Sequence, residues 1–256
     1  MGSYFRSLQK KKFIYFAHRG YWGYDNLTQN TIPAYQEAIR LNVDFIECDV
    51  HATKDDVLIL HHDPDIKFND NTSVFIRDLT FKDIEHLQIK KKINFKVPTL
   101  NMLLDIIVVN NVGINIELKG KAISLNVFNL LQKYPHDLRQ KVVISSFSDQ
   151  QLIAYRELDP YSDISLLRIG EGDDLVSKAD WLALEDVIKE LNPVSISLAN
   201  KGKAGDLLSR STINKVSDLV AQRNMRIGVY TVNELERLHE LVEWGCSYFF
   251  SDISLI

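Results

Sequence analysis

Short β-branched runs alternate with longer helical patterns along almost the whole chain, and that rhythm limits the fold more than any other feature. Strand candidates fall at residues 13–17, 43–50, 114–118, 142–146, 164–167, 194–198, 226–230 and 248–250. Helical periodicity marks 31–41, 100–110, 125–133, 149–157, a stretch within 182–191, 213–223 and 234–244. Strands that alternate with helices at this spacing build a parallel sheet. Eight such strands in 256 residues match a closed (β/α)8 barrel. An open doubly wound sheet is the competitor. It usually carries a glycine-rich phosphate loop after its first strand, and the chain has neither GxGxxG nor GxxxxGK. The expected fold class is therefore α/β, a TIM barrel forming one domain over residues 1–256. An additional strand at 57–61 follows the turn Lys54-Asp55-Asp56. The polar, lysine-rich stretch at about 63–97 is expected to be a small insertion after the second strand.

Thirty Lys and Arg against 34 Asp and Glu leave a net charge of −4, which predicts no nucleic-acid or anionic-membrane footprint. The lysine clusters at 10–12 and 90–92 are short and read as solvated faces, the first leading into a strand. Cys48 and Cys246 are nearly 200 positions apart and neither belongs to a CxxC pair, so both read as small buried hydrophobes rather than a disulfide, zinc or redox site. The longest apolar stretch, 103–109, is broken by Asp105 and is too short to cross a bilayer. Residues 13–17 are too short for a signal peptide, and Arg6 stands where a myristoylation signal wants Ser or Thr. A soluble cytoplasmic protein without an integral membrane segment is expected.

Active sites of such barrels lie at the C-terminal strand ends. The first strand ends in His18-Arg19, the second in Glu47-Cys48-Asp49, the additional strand in His61-His62-Asp63, and the third in Glu117-Leu118-Lys119. Glu47 and Asp49 are two apart on a strand and share a face, roughly 7 Å apart along the chain. Carboxylates crowded together repel unless a cation or proton sits between them. With Glu117 as a third oxygen donor and no nearby cysteine, the set favours a hard divalent cation, Mg²⁺ or Ca²⁺. The bland reading pairs these acids with Arg19 and Lys119. His61 and His62 would face opposite sides if the strand continued, so at most one should enter the site. Two imidazoles, a divalent cation and fixed positive charges suit phosphate-ester cleavage: the cations neutralise the phosphate, one imidazole removes a proton and the other protonates the leaving oxygen.

These residues resemble the glycerophosphodiester phosphodiesterase family. The resemblance runs through His18-Arg19-Gly20, Asn30-Thr31, Glu47-x-Asp49-Val50, Thr53-Lys54-Asp55 and His62-Asp63. It continues in Pro98-Thr99-Leu100, Glu117-Leu118-Lys119, Val229-Tyr230-Thr231-Val232-Asn233, Trp244-Gly245 and Phe250-Ser251-Asp252. It implies hydrolysis of small glycerophosphodiesters to glycerol 3-phosphate and an alcohol, assisted by Ca²⁺ or Mg²⁺. It makes His18 and His62 the acid–base pair, Glu47, Asp49 and Glu117 the metal ligands, and Arg19 and Lys119 the phosphate contacts. Three departures stand out. Gln29 replaces a carboxylate near the site, Asp56 replaces a turn glycine, and Tyr230 replaces a tryptophan of the pocket wall, touching substrate shape. One alternative is a lysophospholipase D acting on lipid, which would want apolar loops at the mouth, where 21–24 is aromatic and 201–205 mixed. Another is a non-catalytic barrel that binds phosphorylated ligands.

Overall fold

The computed structural model describes residues 4–24, 26–67, 72–90, 96–168, 178–202 and 205–255. Residues 1–3, Lys91 and Lys92 of the second lysine cluster, and 203–204 of the mouth loop lie outside these. The strands are β1 (Ile14–Ala17), β2 (Phe45–Ala52), β3 (Leu58–Leu60), β4 (Asp65–Lys67), β5 (Ser73–Phe75), β6 (Gly113–Leu118), β7 (Val142–Ser146), β8 (Asp163–Arg168), β9 (Ser195–Ala199), β10 (Arg226–Tyr230) and β11 (Tyr248–Ser251). Sheet order runs β1-β11-β10-β9-β8-β7-β6-β2, and the parallel pairing of β1 with β2 closes it into an eight-stranded barrel. Helices lie between successive barrel strands, as the alternation predicts; Ile32–Arg40 and Leu100–Val109 precede β2 and β6. β3 is the additional strand and pairs antiparallel with the far end of β2.

Side-chain parity divides each barrel strand between two cores. Tyr15, Ala17, Ile46, Cys48, Ile114 and Ile116 belong to the large cluster that carries the helices. Ile14, Phe16, Phe45, Val143, Tyr248 and Phe250 form the aromatic floor inside the barrel. Gly228 makes room for that floor, because a Cβ there would lie 2.1 Å from the Tyr248 ring. Tyr248 Oη meets Ser197 Oγ at 2.6 Å and Ser165 Oγ at 3.2 Å, so these three buried hydroxyls partner one another. A helix at Tyr4–Ser7, too short to leave a periodic signal in the sequence, closes the bottom. Its Phe5 packs edge-on against Tyr248 with ring centroids 5.8 Å apart.

The stretch after β3 holds more order than its weak periodicity suggests. It contains the β4–β5 hairpin and the helix Phe81–Lys90, packed round Ile59, Ile66, Ile76, Ile84 and Val97. One apolar side chain per element suffices for so small a cluster, which leaves little pattern to read. Cys48 and Cys246 are both buried and free. Among the described residues no helix is long and apolar enough to cross a membrane.

Candidate active site

With the aromatic floor below, the same inward parity lifts polar side chains to the upper rim. Next after Phe16 comes His18, after Phe45 come Glu47 and Asp49, and after Gly113 come Asn115, Glu117 and Lys119. His18, Glu47, Asn115, Glu117 and Lys119 line a cavity of about 310 Å³ with Arg19, His62, Ser145, Phe147, Leu167, Tyr230 and Phe250. The eight residues singled out in the sequence thus converge, although Asp49 stands behind the wall rather than in it.

Glu47, Asp49 and Glu117 each offer an oxygen within 4.8 Å of the others, and all three are buried. Asp49 is heavily engaged. Its Oδ2 accepts from Asn30 Nδ2 at 2.8 Å and pairs with Arg19 Nε at 3.0 Å, while Oδ1 lies 3.3 Å from Lys119 Nζ. Burial pushes its carboxyl up, but Lys119, Arg19 and His62 outweigh that and hold it at about 2. Glu47 differs. Its Oε2 accepts the Arg19 backbone N–H at 2.8 Å, yet its Oε1 is buried with no hydrogen-bond partner among the described residues. Burial, then the charges of Asp49 and Glu117, raise its pKa well above the ordinary carboxylate range. Glu117 pairs with Lys119 at 2.8 Å, and burial with the Asp49 charge still pushes it up to about 7. The bland reading therefore accounts for Asp49 and only partly for Glu117. Three buried carboxylates against two fixed cations, with Glu47 Oε1 neither hydrogen-bonded nor ion-paired among the described residues and an all-oxygen donor set, fit a hard divalent ion.

Local backbone supports this cluster. Arg19 sits in the left-handed region at φ 58°, a conformation that costs a non-glycine residue about 1 kcal/mol and turns its N–H onto Glu47. Gly20 follows at φ 80° with its Cα against Ala34, where a Cβ would come within 2.7 Å of the backbone. Asn30, also left-handed at φ 55°, donates its N–H to Arg19 O and takes both Asp49 N–H and Tyr35 Oη–H on its Oδ1. Gln29 accepts from Arg19 Nη1 at 2.5 Å. The amide at this position thus keeps a hold on the guanidinium without offsetting its charge.

Each histidine has an aspartate on Nδ1. His18 meets Asp252 Oδ1 at 2.8 Å, with Thr231 Oγ1 at 3.3 Å. Asn233 Nδ2 holds the other oxygen of Asp252 at 2.7 Å. His62 meets Asp63 Oδ1 at 2.8 Å, and Lys67 holds Asp63 Oδ2 at 3.0 Å. Burial lowers both imidazoles below their ordinary pKa, and the aspartates work against it. Neutral rings donating Nδ1–H to the carboxylates leave both Nε2 lone pairs free for proton transfer.

One step of the sequence argument is corrected. β3 ends at Leu60, so strand parity does not separate His61 from His62. His61 N–H still reaches Asp49 O at 3.0 Å, after which the chain turns and His61 Nδ1 bonds Asp63 O at 2.9 Å. The turn, not the pleat, leaves His62 alone of the two in the cavity wall. Tyr230 is in the wall as expected, but its hydroxyl donates to Arg168 O at 2.8 Å, so it presents a ring rather than a polar handle. The aspartate partners Asp63 and Asp252 were assigned no part by sequence reasoning, and neither were Asn30 and Asn115. Adjacency to His62 could have flagged Asp63; nothing local links Asp252 to His18, 234 residues away.

The model of the glycerophosphoryl diester phosphodiesterase family matches residues 18–254. The glycerophosphodiester phosphodiesterase of Bacillus subtilis is 28% identical, over 96% of this chain and 85% of its own. A lysophospholipase D of Mus musculus is 24% identical, over 62% of this chain and 53% of its own. The fold is shared with an Oleispira antarctica phosphodiesterase solved with the product sn-glycerol-3-phosphate, at TM-score 0.72 and 20% identity, covering 93% and 92% of the two chains. The closed barrel, the rim chemistry and a family match spanning that whole rim lead to one conclusion: the chain belongs to the glycerophosphoryl diester phosphodiesterase family and is a phosphoric diester hydrolase.

Proposed function

We propose that residues 1–256 act as one catalytic unit that hydrolyses small deacylated glycerophosphodiesters to glycerol 3-phosphate and an alcohol. The observation that carries this reading is the pair of His–Asp dyads whose imidazoles line one cavity with Glu47 and Glu117, since a binding module has no need of two poised imidazoles. Glu47, Asp49 and Glu117 would hold one divalent cation, Mg²⁺ or Ca²⁺. When bound, that ion supplies charge neutralisation at the phosphate and polarises the attacking oxygen. Arg19 and Lys119 hold phosphate oxygens. The glycerol half carries a free hydroxyl next to the ester, and its attack on phosphorus within the molecule has a high effective molarity. One imidazole takes that proton at Nε2 while the other protonates the departing alcohol. The cyclic glycerol phosphate so formed is opened by water, with the two imidazoles exchanging parts. An analogue lacking the neighbouring hydroxyl tests this: its cleavage at an undiminished rate would leave water as the direct nucleophile.

A second observation favours activity on a single-chain lipid. Beyond Lys119 and Phe147 a groove of about 840 Å³ continues between the helices Ser124–Leu131 and Asp149–Leu158, lined by Leu125, Ala154 and Leu158. It offers an acyl chain an apolar path out of the cavity. Release of choline from lysophosphatidylcholine, measured beside glycerophosphocholine, decides between the two substrates.

A further inference from the structure

The cavity also holds a polar group that none of the chemistry above uses. Asn115 lies on β6, two residues before Glu117 and in register with Glu47 on β2. It is only 1% exposed and lines the cavity. Its Oδ1 is pinned by the Ser145 hydroxyl, which donates to it at 2.7 Å. Its Nδ2 has no hydrogen-bond partner among the described residues. A buried donor left unpaired is costly unless a ligand completes it.

Glu47 is the neighbour of Asn115 on β2, and Leu167, Phe250 and the ring of Tyr230, whose own hydroxyl is spent on Arg168, line the same cavity. A substrate half that enters past Glu47 meets these apolar side chains and the unpaired amide donor. Such a half should be constant from substrate to substrate, because a closed, shaped pocket tolerates little variation. In a set of glycerophosphodiesters the constant half is glycerol, and the varying alcohol faces the open rim. The hydroxyl next to the ester is taken up at phosphorus, which leaves the terminal hydroxyl for the interior.

We propose that Asn115, held at Oδ1 by Ser145, donates from Nδ2 to the terminal glycerol hydroxyl and so selects phosphoglycerol substrates. Asn115 is then a specificity-determining residue rather than part of the proton relay. The assignment rests on the hydrolase reading above, and it excludes glycerol halves acylated at that oxygen from this position. A site built round a substrate hydroxyl rejects the analogue lacking it, since the amide is then buried unpaired.

The test compares glycerophosphocholine with the phosphocholine diester of propane-1,2-diol, which keeps the neighbouring hydroxyl and lacks the terminal one. The wild-type protein should favour the glycerol compound on the order of 10- to 100-fold in kcat/KM, the discrimination expected of one buried hydrogen bond. Asn115→Ala should bring that ratio close to one by losing rate on glycerol alone. Ca²⁺ affinity, titrated calorimetrically without substrate, should stay within a factor of about two. Ser145→Ala, which frees the amide but keeps its Nδ2 donor, should lower the ratio by a smaller factor, and it carries the test should Asn115→Ala fail to fold. An unchanged ratio in the variants overturns the proposal. So does a fall in Ca²⁺ affinity with equal losses on both substrates, which would make Asn115 a support for the carboxylates. If the wild-type protein cleaves neither diester, the hydrolase reading itself fails.

Discussion

Replacing Asp252 by asparagine changes one atom, and the surrounding bonds dictate how the new amide must lie. Asn233 Nδ2 donates to Asp252 Oδ2 at 2.7 Å, while Asn233 Oδ1 accepts Ser251 Oγ–H and the Asp252 backbone N–H. The asparagine at 252 must therefore keep its oxygen toward Asn233 and turn its NH₂ toward His18. Facing a donor, His18 Nδ1 must become the acceptor, and the ring proton moves to Nε2, where the substrate needs a lone pair. The loss of a charge-assisted hydrogen bond costs about 1.5–3 kcal/mol, or roughly 10- to 150-fold in rate. The wrong tautomer adds to this, and such an exchange behind a catalytic histidine can reach about 10,000-fold. We expect kcat of Asp252→Asn to fall between about 100- and 10,000-fold with an unchanged fold. A second change should repair it. In Asp252→Asn with Asn233→Asp, the new aspartate accepts from the amide at 252, whose oxygen swings back to His18 and restores the tautomer. Recovery of at least about tenfold is expected, measured as initial rates of glycerol 3-phosphate release at saturating substrate across pH 5–9. A single variant within threefold of wild type, or a double variant no better than the single, refutes the tautomer argument.

Four further outcomes follow from the geometry. Glu47→Gln should lower Ca²⁺ or Mg²⁺ affinity and activity together, with excess cation restoring part of the rate; full wild-type activity after exhaustive chelation would contradict this. Cation binding should also depend on pH. Burial and neighbouring carboxylates raise Glu47 and put Glu117 at about 7, so the cation-free site holds protons that a cation must displace. A carboxyl raised on folding stabilises most below its unfolded pKa and loses that contribution as pH rises through the folded value. The cation-induced gain in melting temperature should thus be larger at pH 8 than at pH 5.5, and an equal gain at both values would count against these shifts. His62→Ala should abolish turnover and His61→Ala leave most of it, because only His62 lines the cavity; equal losses would place both rings in the reaction. Gly228→Ala drives a methyl into the Tyr248 ring and should cost about 1–3 kcal/mol by chemical denaturation, whereas a neutral effect would mean that the barrel floor is loosely packed.

Much of this protein is legible along the chain, because its constraints are local. A strand buried on both faces must be β-branched or aromatic, and a helix must show one apolar stripe, so the eight-beat alternation is written residue by residue. Strand-end chemistry is legible for the same reason: Glu47 and Asp49 share a face by pleat parity wherever the strand lies. What the tertiary structure alone decided is which strand ends become neighbours and which partners meet across them. Asp252 comes to His18 only because β11 closes the barrel against β1, and Lys119 comes to Asp49 only because β6 pairs with β2. Nothing in the periodicity of either segment encodes those distances. His61 and His62 mark the boundary: adjacency made them candidates together, but the turn that separates them depends on bonds to Asp49 and Asp63. Asn115 lay in plain view before Glu117 and carried no signal. An amide on a strand is ordinary until the walls around it close and leave its N–H without a partner.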